Sequence, residues 1–288
     1  MQRPYKMKPL SLGYSPCPND TFIFFALIHG KIDTGDLQFN ELLLDVETLN
    51  QKALKEELDI TKISYHAYGH FRDNYCLLRA GGALGRGCGP LVIARKECSM
   101  TDLPGKKIAI PGRLTTANLL LQLYSSSLNH RIDPSNLQIL PFNQIMQAVA
   151  KGEVDAGLII HESRFTFQDY NLKQVIDLGK WWEKDTGLPV PLGGIIAKRS
   201  LGPEVIKRIN TLLKMSVEYA FNHRNDPLTY IKEHSQELSD DVIQQHINLY
   251  VNDFSLDIEK EGEKAIIELI SRAESAGIIP GSDAPIFI

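Results

Sequence analysis

The feature that most constrains this chain is an alternation that runs, stops and restarts. Short apolar runs follow segments of helical period, first over residues 10–95 and again from Lys106. "LSLGYS", "LQFNELLLD", "ITKIS", "YCLLRA" and "PLVIAR" read as strands. "PNDTFIFFALIHG" reads as a helix capped by Asn19 or Asp20 and stopped by Gly30. "VETLNQKALKEE" reads as a second helix, with apolar positions at Val46, Leu49 and Leu54. In the second run, "KKIAIPG", "LQILPF" and "DAGLIIHES" are strands, and "TTANLLLQLYSSSL" and "NQIMQAVAKG" are helices. "VIDLGKWW" is a strand running into a helix, and "LGGIIAKRS" is a strand that returns to the first unit. From Pro203, suited to a first helical turn, the pattern is helical to the end.

Alternation of this kind predicts an α/β fold with largely parallel sheets covered by helices. A chain that crosses out and back predicts two lobes. Residues 1–107 with 196–288 form the larger and residues 108–195 the smaller, with a cleft between. Open α/β sheets bind ligands at the carboxyl ends of their strands, so the residues at the strand ends are the candidates for chemistry.

Composition narrows the function. With 288 residues and a net charge of −4, the chain buries a full core and lacks the basic footprint of a nucleic-acid binder. The opening "MQRPYKMKPLSLGYSPCPND" has no apolar signal core, and no segment approaches the ~18 unbroken apolar residues of a membrane span. A cytoplasmic protein with no membrane partner is expected. Cys17, Cys76, Cys88 and Cys98 form no CxxC pair and lie at no metal-ligand spacing from a histidine, so free thiols and no metal are expected.

Three strand ends are richer in polar chemistry than a core requires. In "GYSPCPNDTF", Tyr14, Ser15, Asn19, Asp20 and Thr21 lie between a strand and a helix start, where backbone N–H groups suit an anion. The same residues also serve as plain helix caps. In "IPGRLTTANLLL", Thr115 and Thr116 put two hydroxyls at a helix start, able to cradle a carboxylate or simply to cap. The P-loop spacing GxxxxGK(S/T) is absent. In "GEVDAGLIIHES", the run Leu158-Ile159-Ile160 is too apolar for a surface loop and too short for a helix, so His161 falls at a strand end. Histidine there suits a general base, with Glu162 orienting it or merely solvated. "TKISYHAYG" places Lys62 and Ser64 at another strand end, with His66 beyond. Lys62 either neutralises a substrate carboxylate or is an ordinary lysine. The three glycines of "GRGCGPLVI" imply close backbone packing or a hinge, and no base accompanies Cys88 to make it a nucleophile.

Taken in order, "GYSPCPNDTFIF", "DITKISYHAYG", "GRGCGPL", "IPGRLTTANLLL", "GEVDAGLIIHE" and "LPVPLGG" resemble the 1,4-dihydroxy-6-naphthoate synthases of the futalosine route to menaquinone. The resemblance implies a type II periplasmic-binding-protein-like fold of two α/β lobes around a cleft. It implies a lyase that splits cyclic dehypoxanthinylfutalosine into 1,4-dihydroxy-6-naphthoate and a sugar-derived fragment, without redox cofactor or metal. The family's proton acceptor matches His161, and its substrate-contacting segments match Lys62, Ile63 and Ser64, and Thr115, Thr116 and Ala117. Two alternatives stand beside it. One is a solute-binding protein of the same fold, against which the missing signal segment argues. The other is the related pathway enzyme chorismate dehydratase. A DNA-binding regulator's effector domain would need a basic helical segment at one end, and neither the nine N-terminal residues nor the net charge supplies it.

Overall fold

The computed structural model describes residues 8–128, 132–235 and 239–287. Part of the opening stretch read above, residues 1–7, lies outside them. The first run builds β1 (Leu10–Tyr14), α1 (Pro18–Ile28), β2 (Phe39–Leu43), α2 (Val46–Leu54), β3 (Ile60–Ser64), the single turn α3 (Tyr65–Tyr68), β4 (Tyr75–Leu77), β5 (Ala83–Gly85) and β6 (Leu91–Ala94). The second builds β7 (Ile108–Ile110), α4 (Thr116–Ser127), β8 (Leu137–Ile139), α5 (Phe142–Lys151), β9 (Ala156–Ile159), α6 (Ser163–Thr166), β10 (Lys173–Asp177), α7 (Leu178–Thr186) and β11 (Val190–Lys198). Helices α8 (Pro203–Asn222), α9 (Leu228–His234), α10 (Asp240–Tyr250), α11 (Asp253–Leu256) and α12 (Glu259–Ser275) close the chain.

Two sheets result, ordered β2-β1-β3-β11-β4, with β5 also on β11, and β10-β6-β9-β7-β8. Each centres on a lobe, with the cleft between. Both sheets are mixed, which corrects the expectation of largely parallel ones. β1 lies parallel to β2 and β3, and β7 to β8 and β9, because helices carry the chain back between these strands. The strands that cross between lobes run the other way: β11 is antiparallel to β3, β4 and β5, and β6 antiparallel to β9 and β10. Sheet membership therefore changes before β6 and again before β11. It does not change at the expected boundaries 107/108 and 195/196.

Helix α1 is buried from Pro18 to Leu27 and packs against α8, α9 and α10. A helix with no polar face has to be enclosed, and the C-terminal helices enclose it. Its stop is Gly30, at φ +62°, as expected. Its cap is not as expected. Cys17 is the N-cap residue with no side-chain bond, Pro18 opens the first turn, and Asn19 and Asp20 are turned to other partners. Of the glycines around Cys88, Gly89 has the close-packing role. A Cβ on Gly89 would sit 2.2 Å from the Cα of Gly179, at the start of α7. Arg164 fastens this approach by donating to the carbonyl of Gly89 and to Asp177 Oδ2, the latter at 2.7 Å. All four cysteines are free thiols, and no described helix is long and apolar enough to cross a membrane.

Candidate active site

The carboxyl ends of β1, β3 and β9 and the start of α4 meet around a cavity between the lobes. Ser15, Asn19, Asp20, Lys62, Ile63, Ser64, Thr115, Thr116, Ala117 and His161 all line it. Tyr14 does not. It points away from the cavity at 0% exposure, and its hydroxyl bonds to Glu41 and, at 2.6 Å, to the hydroxyl of Tyr230. Alternation along β1 sends Tyr14 to the opposite face from its neighbour Gly13. A larger space shares Ser15, Val46, Ile160 and His161 with the cavity and extends past Pro141 and Phe142.

Asp20 organises one wall. At 1% exposure its carboxylate accepts from Ser15 Oγ at 2.7 Å, Ser15 N at 3.2 Å and Asn19 Nδ2 at 2.8 Å. Lys62 Nζ stands 3.1 Å away and also donates to the carbonyl of Gly81 at 3.3 Å. Burying a charge is tolerable only when it is paired and hydrogen-bonded, so each charge here depends on the other. Lys62 is therefore already neutralised before any ligand enters.

The two threonine hydroxyls are likewise committed. Thr115 Oγ1 donates to the carbonyl of Gly112 at 2.9 Å and accepts from the amide of Asn118 at 3.2 Å, which makes it the cap of α4. Thr116 Oγ1 donates to the carbonyl of Leu192 at 2.5 Å. What a helix start leaves without an intrahelical acceptor is its first amides, here those of Thr116 and Ala117. Replacing Thr115 by valine is expected to lower stability by about 1 kcal/mol through loss of the cap, measurable as a shift in the urea unfolding midpoint.

His161 follows the end of β9 by two residues. Its backbone sits at φ +56°, in the left-handed region that few non-glycine residues occupy. Its ring lies 5.1 Å from that of Phe142 and, nearly parallel at 9°, 5.9 Å from that of His246. Among the described residues its ring nitrogens have no hydrogen-bond partner. Burial lowers its pKa below the usual 6.5. At neutral pH the ring is thus uncharged and able to accept a proton.

His66 behaves differently. Its Nδ1 lies 3.2 Å from the carbonyl of Thr115, tying β3's end to the start of α4. Burial pushes its pKa down to about 4. The unfolded chain takes up that proton first as pH falls, so the stability involved is complete above ~6.5 and lost on the way down to about 4. The loss attributable to this residue is at most about 3 kcal/mol. Unfolding midpoints measured across that window are expected to fall less steeply for His66→Gln than for the unaltered chain.

Several lining residues escaped sequence reading: Val46, Ala83, Pro90, Leu192, Gly193 and Tyr250. Tyr250 and its neighbour His246 come from α10, where they share an apolar face with Ile243 and Ile247 and so read as core. Cys88 also lines the cavity, but burial pushes its thiol up to about 12, which leaves it a poor nucleophile. Among the described residues no cluster of three or more His, Cys, Asp or Glu is arranged to hold a metal ion.

The family described as menaquinone biosynthesis matches residues 10–275. A 1,4-dihydroxy-6-naphthoate synthase of Thermus thermophilus is 50% identical over 98% of this chain and 100% of its own length. A protein of the same name from Streptomyces coelicolor is 43% identical over 96% of this chain and 98% of its own. Among solved structures, a protein of Archaeoglobus fulgidus superposes with a TM-score of 0.86 at 38% identity, covering 94% of this chain and 98% of that one. A Candida albicans gene product described as exhibiting the generic periplasmic binding protein structural fold superposes at 0.70 with 14% identity, over 96% and 92% of the two chains. The fold is accordingly the two-lobed periplasmic-binding-protein-like one.

Proposed function

The chain belongs to the menaquinone biosynthesis family, and from that premise we propose that it splits cyclic dehypoxanthinylfutalosine into 1,4-dihydroxy-6-naphthoate and a sugar-derived fragment, with His161 as the base. Its synthase relatives span the same length, and the chain is an enzyme of that pathway. The observation that carries the finer reading is His161 itself: a neutral imidazole held in an unfavourable backbone conformation, free of protein hydrogen bonds, facing a cavity whose far wall is a helix start. Unfavourable backbone geometry persists where surrounding structure imposes it, and sites of chemistry are where it collects.

Each part of the substrate then has a place. The fixed carboxylate of the bicycle meets the amides of Thr116 and Ala117 at the positive end of α4. The bicycle lies against Ile63, Ile160, Leu192 and Tyr250. The sugar-derived part reaches His161, with the larger space beyond it as its route in and out. His161 takes a proton from that part, electrons flow to break the spiro connection, and the ring system gains aromatic character. Holding both parts in register converts loose encounter into a fixed geometry, which is where much of the rate comes from.

Purified protein incubated with cyclic dehypoxanthinylfutalosine should release the naphthoate, read by its fluorescence or mass. A folded protein that leaves this substrate intact overturns the reading. The pH profile provides a second check. Because burial lowers the pKa of His161, kcat/KM should hold as pH falls past ~6.5 and decline only below it.

A further inference from the structure

Behind His161 lies an unresolved account of protons. His246 is 0% exposed, and its Nε2 is 2.9 Å from Asn19 Oδ1. Asn19 has no freedom to turn over, because its amide nitrogen donates to Asp20. A flipped amide would set oxygen against carboxylate. The contact therefore requires the proton of neutral His246 on Nε2, which leaves Nδ1 as a bare acceptor. Nδ1 faces Glu162 Oε2 at 3.6 Å. Both atoms are buried, and neither has a hydrogen-bond partner among the described residues. Two buried acceptors that face each other with nothing between them are each left unsatisfied, an arrangement folded proteins avoid.

We propose that Glu162 and His246 hold one proton between them, carried on the carboxyl oxygen of Glu162 and donated to Nδ1 of His246, and that together they act as positioning residues for His161. A small rotation of the Glu162 carboxyl closes the gap to hydrogen-bond length. One added proton satisfies both orphaned atoms, and the pair becomes uncharged. The consequence for His161 follows from its parallel stacking on His246 at 5.9 Å. When His161 becomes an imidazolium, a second cation on the facing ring would oppose it. With Nδ1 already engaged as an acceptor, His246 stays neutral throughout. The other groups around the pair agree with this. Tyr250, its ring 4.7 Å from that of His246, is held protonated by burial, as is Cys17, and the Asp20–Lys62 pair is balanced. Burial also opposes any charge on His246.

The role in catalysis rests on reading His161 as the base, whereas the shared proton can be tested without substrate. In protein labelled with ¹⁵N-histidine and ¹³C-glutamate, His246 should show the neutral Nε2–H tautomer with Nδ1 accepting a hydrogen bond. The Glu162 carboxyl should carry the proton that it donates to Nδ1. A Glu162 carboxyl found ionised, or a His246 protonated on both nitrogens, overturns the proposal. Glutamine imitates the protonated carboxyl, since its amide donates to Nδ1 without charge. Glu162→Gln should therefore keep at least tenfold more of kcat than Glu162→Leu, which gives Nδ1 no donor, and leave the acid limb of kcat/KM in place. A tenfold or greater loss of kcat, with that limb moved to lower pH and KM unchanged, would mean that Glu162 acts as a charged carboxylate and would sink the idea. If the unaltered protein turns nothing over yet the labelled spectra show the shared proton, the pair stands and the functional reading falls.

Discussion

His161→Asn should turn substrate over at least ~100-fold more slowly than the unaltered chain, with KM changed by no more than a few-fold. The size follows from what the residue is asked to supply. General-base catalysis contributes about 10²–10⁴ in rate, and an amide cannot accept the proton at neutral pH. Asparagine is the informative replacement because of the backbone. At φ +56° most side chains are strained, while asparagine is among the few that tolerate the left-handed region. The variant should therefore fold, and its unfolding midpoint should lie close to that of the unaltered protein. A purely structural histidine gives the opposite pattern. The stacking against Phe142 and His246 would be lost, stability would fall, and turnover per folded molecule would stay near normal. Rate, KM and midpoint measured on one preparation separate the two. A stable variant with near-normal turnover removes His161 from the chemistry.

Sequence reading located the strand ends well and their partners poorly, for a physical reason. Period-two and period-3.6 patterns are local, so β1, β3, β9 and the start of α4 were legible, and with them Ser15, Asn19, Asp20, Lys62 and His161. Direction is not local. The mixed sheets arise from where β6 and β11 go after leaving one lobe, which no short window records. β5 was missed because Gly85, Gly87 and Gly89 give that stretch the look of a loop. Tyr14 was misplaced by a single step of alternation. His246 is the clearest case. On α10 it is one more residue of an apolar face, and only the packing of α10 against α1 brings it to Asn19. The threonine pair shows the converse, since the hydroxyls that drew attention are consumed by the fold, and the adjacent amides of the helix start are what it leaves without intrahelical acceptors.

The dependence of this wall on Asp20 leads to the largest expected effect on stability. Asp20→Asn should destabilise the protein by roughly 3–5 kcal/mol, because it leaves a buried ammonium without its counter-charge. The geometry makes asparagine a poor substitute despite its shape. The carboxylate receives Ser15 N, Ser15 Oγ, Asn19 Nδ2 and the ammonium of Lys62. An asparagine offers one acceptor oxygen to these four donors and turns its own NH₂ toward some of them. Adding Lys62→Met should recover a substantial part of the loss, since well-packed apolar groups often replace a buried ion pair at little cost. Urea unfolding of the two single variants and the double variant gives the coupling between the residues directly. Recovered stability should not bring recovered turnover. With the carboxylate gone, Asn19 is free to turn over and present its NH₂ to His246 Nε2. That ring must then carry its proton on Nδ1, facing Glu162, and the wall behind His161 is rearranged. A double variant as active as the unaltered chain would show that Asp20 and Lys62 serve the fold alone. An Asp20→Asn variant of undiminished stability would show that Lys62 finds its neutrality elsewhere.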